Sequence, residues 1–187
     1  MSGSEVAGSS VSRGRRGRIM DIVLISMIVG LLVYNVLMFR GRGGGLEPGS
    51  DAYAFSVPGV DEGVSYSLSD FSGKVVVLDF FSRQCGACKS ALPGFDALSS
   101  KYSTDKVQFL VLARERNVDS GRQRLRAYWA EKGFDVPVGI SGDDVFGAYR
   151  ISRLPSVVVL DGAGRVSAFL GNASPREIER AIQLAVQ

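Results

Sequence analysis

Seven residues, Val75-Val76-Val77-Leu78-Asp79-Phe80-Phe81, stand just ahead of the chain's only two cysteines, in Cys85-Gly86-Ala87-Cys88. A run that is apolar on both faces reads as a central strand covered on each side by helices. The residues from Ala87 onward take up helical spacing, so the cysteine pair falls where a buried strand hands over to a helix. A helix N-terminus lowers the pKa of a thiol placed there and favours the reactive thiolate. Two thiols three residues apart at such a junction are placed to form and break a disulfide. Other uses of the pair fit less well. A zinc site would need ligands from a second chain, because there is no histidine and no further cysteine. A purely structural disulfide closing so short a loop restrains little of the unfolded chain.

The absence of histidine excludes a Ser-His-Asp triad and His-held zinc, copper or haem, and leaves proton transfer to carboxylates, lysine, tyrosine, thiols or water. No cofactor and no metal site is expected. The formal charge of +3 owes much to Arg13, Arg15, Arg16 and Arg18. The globular part has no dense Lys/Arg stripe interleaved with aromatics, so a nucleic-acid partner is not expected. Arg122, Arg124 and Arg126 read as a solvated helix face, and Trp129 as core.

Four regions follow from composition. Residues 1–18 form a basic, Ser/Gly/Arg-rich N-terminus expected to be disordered. Residues 19–39 are almost wholly apolar and long enough for a transmembrane signal anchor. Arginine bias places the N-terminus in the cytoplasm and the bulk of the chain in a periplasmic or extracytoplasmic space, on the inner (cytoplasmic) membrane. Residues 40–51 read as a flexible linker, and residues 52–187 as the folded domain.

Within the domain the elements alternate. Strands are expected over Val75–Phe81 and Val107–Ala113, and helices over Ala87–Tyr102, bent at Pro93, and over Arg122–Lys132. A short helix covers Asp143–Arg150. Val157–Leu160 and Val166–Leu170 flank Asp161-Gly162-Ala163-Gly164 as a hairpin. Ser174-Pro175-Arg176-Glu177 is a capping box that opens a final helix. The order predicts an α/β fold, a mixed central sheet with helices on both faces.

The stretch KVVVLDFFSRQCGACKSALPGFDALSSKY (74–102), its lead-in Leu68–Lys74, the segment Leu125–Ile140 and Ala148–Pro155 together resemble the thioredoxin superfamily, in its membrane-anchored TlpA/ResA-like branch. The resemblance spans nearly the whole domain and implies a thioredoxin-like fold and thiol–disulfide oxidoreductase activity. It implies that Cys85 attacks and that Cys88 resolves the mixed disulfide. It places Asp79 as a buried acid near Cys88, where burial raises its pKa and suits it to take the Cys88 proton. It makes Leu154-Pro155 a cis bond facing the cysteines, with Leu154, Pro155, Gln84, Gly86 and Ala87 as substrate contacts. The implied partners are exported proteins bearing thiols or disulfides, such as cytochrome c or copper-protein precursors, and a membrane electron donor that re-reduces the pair.

The chain departs from the pattern at Gln84, where a tryptophan is usual, and at Gly86-Ala87. Ser156 also differs from the cytochrome-maturation thioredoxins. Two other readings stand beside this one. Ser82-Arg83-Gln84-Cys85 resembles the peroxiredoxin motif, although Leu78 holds the position of that family's proline. A Cu(I)-binding chaperone would suit soft thiolates, although the spacing and the missing histidine differ from copper modules.

Overall fold

The computed structural model describes residues 21, 24–34 and 45–186, in two units that divide between Gly43 and Gly44. In the first unit residues 24–34 are helical (α1), with exposed and mostly apolar side chains. Among the described residues no helix is long and apolar enough to cross a membrane. The ends of the 19–39 segment, all of residues 1–18, and residues 40–44 lie outside them.

In the second unit a five-stranded sheet runs in the order β5-β4-β3-β6-β7. Its strands are β3 (Val75–Phe81), β4 (Val107–Arg114), β5 (Val138–Ser141), β6 (Ser156–Leu160) and β7 (Val166–Leu170). β3, β4 and β5 are parallel neighbours, while β6 runs antiparallel to both β3 and β7. Ahead of the sheet lie a small antiparallel hairpin, β1 (Ser56–Pro58) and β2 (Ser65–Ser67), and a 3-10 turn over Leu68–Phe71. The helices are α2 (Gly86–Ser99), α3 (Val118–Lys132), α4 (Asp143–Ala148) and α5 (Pro175–Ala185).

All seven residues of β3 are buried, as a strand covered on both faces requires. Its side chains alternate between two cores. Val75, Val77 and Phe81 pack with α2, α3 and α5 through Leu92, Phe95, Trp129, Ile178 and Ile182. Val76, Leu78 and Phe80 pack on the opposite side with Phe55, Val57, Phe146 and Tyr149. The period of two puts Asp79 on the same side as Val77 and Phe81, facing α2.

Several local choices hold this frame. α2 continues through Pro93 and ends at Ser99, three residues short of its expected limit. Asp96 on α2 accepts the backbone N–H groups of Asp135 (2.9 Å) and Val136 (2.8 Å), which ties α2 to the chain entering β5. Trp129 is buried, and its Nε1 donates to the Val136 carbonyl at 2.8 Å. The β6–β7 turn closes on Asp161, whose Oδ1 accepts from Ala163 and Arg165 while Gly164 takes φ +76°. Ser174 and Glu177 complete the expected capping box of α5.

Three expectations are corrected. The end of the 40–51 linker is docked on the domain: the Gly49 N–H donates to Val166 O, Ser50 O accepts from Val166, and Leu46 packs on the core beside β7. α3 starts at Val118 rather than Arg122, because the Asn117 side chain accepts from the Ser120 N–H and caps the helix four residues earlier. Arg122 and Arg126 are not a merely solvated face, since they donate to the carbonyls of Gly59 (3.4 Å) and Val60 (2.7 Å) in the β1–β2 turn.

Candidate active site

β3 ends at Phe81, and three residues carry the chain to Cys85 at the N-cap of α2. Cys85 and Cys88 are joined as a disulfide, with Cα atoms 5.3 Å apart. The Cys88 N–H points at Cys85 Sγ at 3.0 Å, so the first sulfur sits where a helix N-terminus stabilises negative charge. Exposure separates the two. Cys85 is half-buried between exposed Gln84 and exposed Gly86 and Ala87, whereas Cys88 is 1% exposed within the core that includes Leu92 and Phe95. One sulfur can meet a macromolecule and the other cannot, an asymmetry that suits an attacking and a resolving thiol.

Asp79 is the fifth residue of β3 and 3% exposed, a carboxylate on a face otherwise made of Val75, Val77 and Phe81. Burial alone pushes its pKa from the ordinary 3.8 to about 7. It lines a crevice of about 10 Å³ with Ala91, Phe95 and Pro155, space for no more than about one water. An acid with a pKa near neutrality, facing the helix that carries Cys88, can accept or return a proton at working pH.

The Leu154-Pro155 bond is cis, and Pro155 is buried. Register explains its place. Phe80 pairs with Ser156, so Pro155 comes level with the end of β3, where the chain turns toward Cys85. Leu154 is half-buried and packs against both cores, and Cys85 packs against one of these. The structure thus brings Asp79 and Pro155 to one crevice. Gln84 Oε1 accepts from the Ser82 hydroxyl at 2.7 Å, and the residue lines a groove with Arg83, Glu115 and Arg124.

Sequence reasoning missed Arg83 and Glu115. Arg83 Nε lies 2.7 Å from Glu115 Oε1, and Arg124 lies 3.1 Å from the other carboxylate oxygen. Burial pushes Glu115 up, but hydrogen bonds from Arg83 and Arg124 outweigh it and hold the carboxyl below its ordinary value. One signal could have found this pair. β3 and β4 are parallel, and the residues just past their carboxyl ends share the edge where open α/β sheets bind ligands.

Residues 47–182 match the family model described as Redoxin. The chain is similar to the thioredoxin-like protein YneN of Bacillus subtilis, 24% identical over 164 residues that cover 87% of this chain and 95% of the relative. It is similar to the thiol-disulfide oxidoreductase ResA of Bacillus cereus, 26% identical over 150 residues covering 80% and 83%. A crystal structure of a DsbE-type thiol:disulfide interchange protein from Chlorobium tepidum superposes with a TM-score of 0.66 at 23% identity, over 76% of this chain and 99% of the other. With that match over most of its length, and a disulfide-forming pair at the head of a helix on a thioredoxin-like sheet, the chain belongs to the Redoxin family, on its ResA-like side.

Proposed function

We propose that this protein is a membrane-tethered thiol–disulfide oxidoreductase that reduces disulfides of exported proteins. The observation that carries the activity is the asymmetry of the pair. Cys85 is reachable at a helix N-terminus, and Cys88 is buried on the face of the sheet that also carries Asp79. In the reduced protein the Cys85 thiolate attacks a client disulfide, and one client sulfur leaves as thiolate. Asp79 takes the proton of Cys88. The Cys88 thiolate then attacks Cys85 Sγ, the second client thiolate leaves, and the Cys85–Cys88 disulfide forms. Two electrons pass to the client, and the pair must be re-reduced by a dithiol donor.

The tether is residues 19–39, with residues 1–18 in the cytoplasm and the domain periplasmic or extracytoplasmic. Its support is the almost wholly apolar run, the arginines ahead of it, and a mostly apolar helix over 24–34 whose side chains are exposed. Anchoring beside the membrane suits a membrane electron donor. Resemblance to the TlpA/ResA-like branch favours the reducing direction, with disulfides of cytochrome c or copper-protein precursors as substrates.

The test is trapping. Full-length protein carrying Cys88→Ser, expressed in cells, accumulates mixed disulfides with exported proteins through Cys85, and Cys85→Ser accumulates none. Absence of adducts in the first variant sinks the exchange mechanism. The direction is read separately from the reduction potential of the pair: about −230 mV or lower marks a reductant, whereas roughly −120 to −180 mV marks an oxidant or isomerase.

A further inference from the structure

From the oxidoreductase reading, on which it rests, we infer that the groove beside Cys85 is a cationic docking site that selects client polypeptides carrying Asp or Glu next to the reactive disulfide. The groove encloses about 690 Å³ and is built from three segments. Ser82, Arg83 and Gln84 are the three residues immediately before Cys85. Arg114 ends β4, Arg116 lies in the connection that follows, and Arg124 comes from α3. A polypeptide whose sulfur meets Cys85 therefore lays its neighbouring residues along this wall. The location is the crevice past the carboxyl ends of parallel β3 and β4, where sheets of this kind receive ligands.

The charge balance names the chemistry. The lining contains four arginines and a single carboxylate, Glu115. Glu115 is committed, its side chain 5% exposed and shared between Arg83 and Arg124. Arg114 lies over the Phe146 ring at 4.1 Å with its Nε 3.3 Å from the Asp143 carboxylate, outside the lining. Arg116 is exposed, and among the described residues no carboxylate bridges it. With Glu115 and Asp143 both set against the arginines, two positive charges still lack a counter-ion. The N-terminus of α3, with Asn117 and Ser120 in the lining, adds positive potential that the exposed Asp119 in its first turn, 3.9 Å from Arg122, offsets in part.

The cations are also held in place. Glu115 clamps two guanidinium groups, and it is backed by Gly121, where a Cβ would stand 2.8 Å from the Glu115 Cβ. Pre-positioned guanidinium groups lose little freedom on meeting a carboxylate, with which they pair in a fork geometry.

The experiment uses the reduced full-length protein in a non-ionic detergent and three cystine-bridged peptides that differ only at the residues flanking the bridge: Asp/Glu, Asn/Gln or Lys. Second-order rate constants are measured at about 0.01 M and about 1 M salt, between which the screening length falls from roughly 30 to 3 Å. The expected order is acidic over amide over basic. The acidic-to-amide ratio should be about tenfold at low salt, as two weakly screened pairs give, and should collapse at high salt. In Arg116→Glu that ratio falls to about one or inverts, and in Arg124→Gln, which leaves Glu115 its Arg83 partner, it falls severalfold. Equal rates for the three peptides at low salt, or a ratio indifferent to both substitutions, overturn the groove and leave the oxidoreductase standing. Faster reduction of glutathione disulfide than of the acidic peptide overturns the polypeptide client in favour of a small carboxylate disulfide. Reduction of no disulfide at all overturns the oxidoreductase reading, and the groove with it.

Discussion

Asp79→Asn tests whether the buried acid behind Cys88 is as costly as its surroundings imply. The wild-type carboxyl has a pKa of about 7 in the folded chain, against 3.8 for the ordinary group, and burial is the cause. The folded value is the raised one, so between these pH values the folded protein holds a proton that the unfolded chain has released. Stability then falls as pH rises, beginning near the unfolded pKa and levelling above the folded one. The gap is about three pH units, and at 1.36 kcal/mol each the accumulated penalty is about 4 kcal/mol. Asparagine keeps the shape and carries no charge, so the variant lacks this slope. Urea denaturation of the oxidised proteins, repeated from about pH 4 to about pH 8.5, compares the two. The stability of the variant relative to wild type should climb across that range by up to about 4 kcal/mol, with its midpoint between the two pKa values. All other titrating groups are common to both proteins and cancel in the difference. Parallel curves, or a variant that loses ground as pH rises, would refute the argument that an uncompensated carboxylate sits on that face of β3.

Two further substitutions test the frame that carries the site. Asp96→Ala removes the acceptor of two backbone N–H groups, at 2.9 and 2.8 Å, that pins α2 to the entry of β5. A loss of about 2 kcal/mol or more is expected by urea denaturation, and an unchanged midpoint would count against the tie. Gly139→Ala brings a Cβ within 2.6 Å of Val57 Cγ2 in the β1–β5 contact, an overpacking cost of about 1–3 kcal/mol. Val57→Ala opens that space, so the double variant should be more stable than the two separate losses add to. Simple additivity would show that the hairpin does not press on β5.

Much of the fold was legible because its strongest signals are local. Val75–Phe81 is apolar on both faces, and the strand has those bounds. Asp161–Gly164 and Ser174–Glu177 declare a hairpin and a helix start through side chains that bond their own neighbours. What escaped is what local pattern cannot carry. β1 and β2 are three residues each, half-exposed and serine-rich, and β1 is completed by Val57 joining the core that holds Phe146 and Tyr149. β5 is four buried residues behind Pro137; likeness to the family marked 125–140 as a helix-to-strand stretch where periodicity did not, and pairing with β4 makes it a strand. The first turn of α3 rests on the Asn117 cap, since residues 118–124 offer only Gly121 to the interior.

The same division runs through the site. Cys85, Cys88 and Asp79 lie within ten residues, and strand period with helix phase is enough to relate them. Position 79 shares its face with 75, 77 and 81, the face on which α2 buries Cys88. Pro155 required the antiparallel register of β6 to reach them, and here likeness to a family supplied what periodicity does not. The arginine groove had no such guide. Its cations stand at positions 83, 114, 116 and 124, and Glu115 becomes buried only when the ends of β3 and β4 meet the start of α3. Reactivity at Cys85 can be set by a helix end and one buried acid, both encoded within a few turns of chain. Choice of client needs a surface wider than the sulfur, and in a sheet of parallel strands that surface is assembled from loops far apart in sequence. The two properties are therefore separable by mutation: substitutions at Asp79 should act on every disulfide alike, and substitutions at Arg116 should re-rank them.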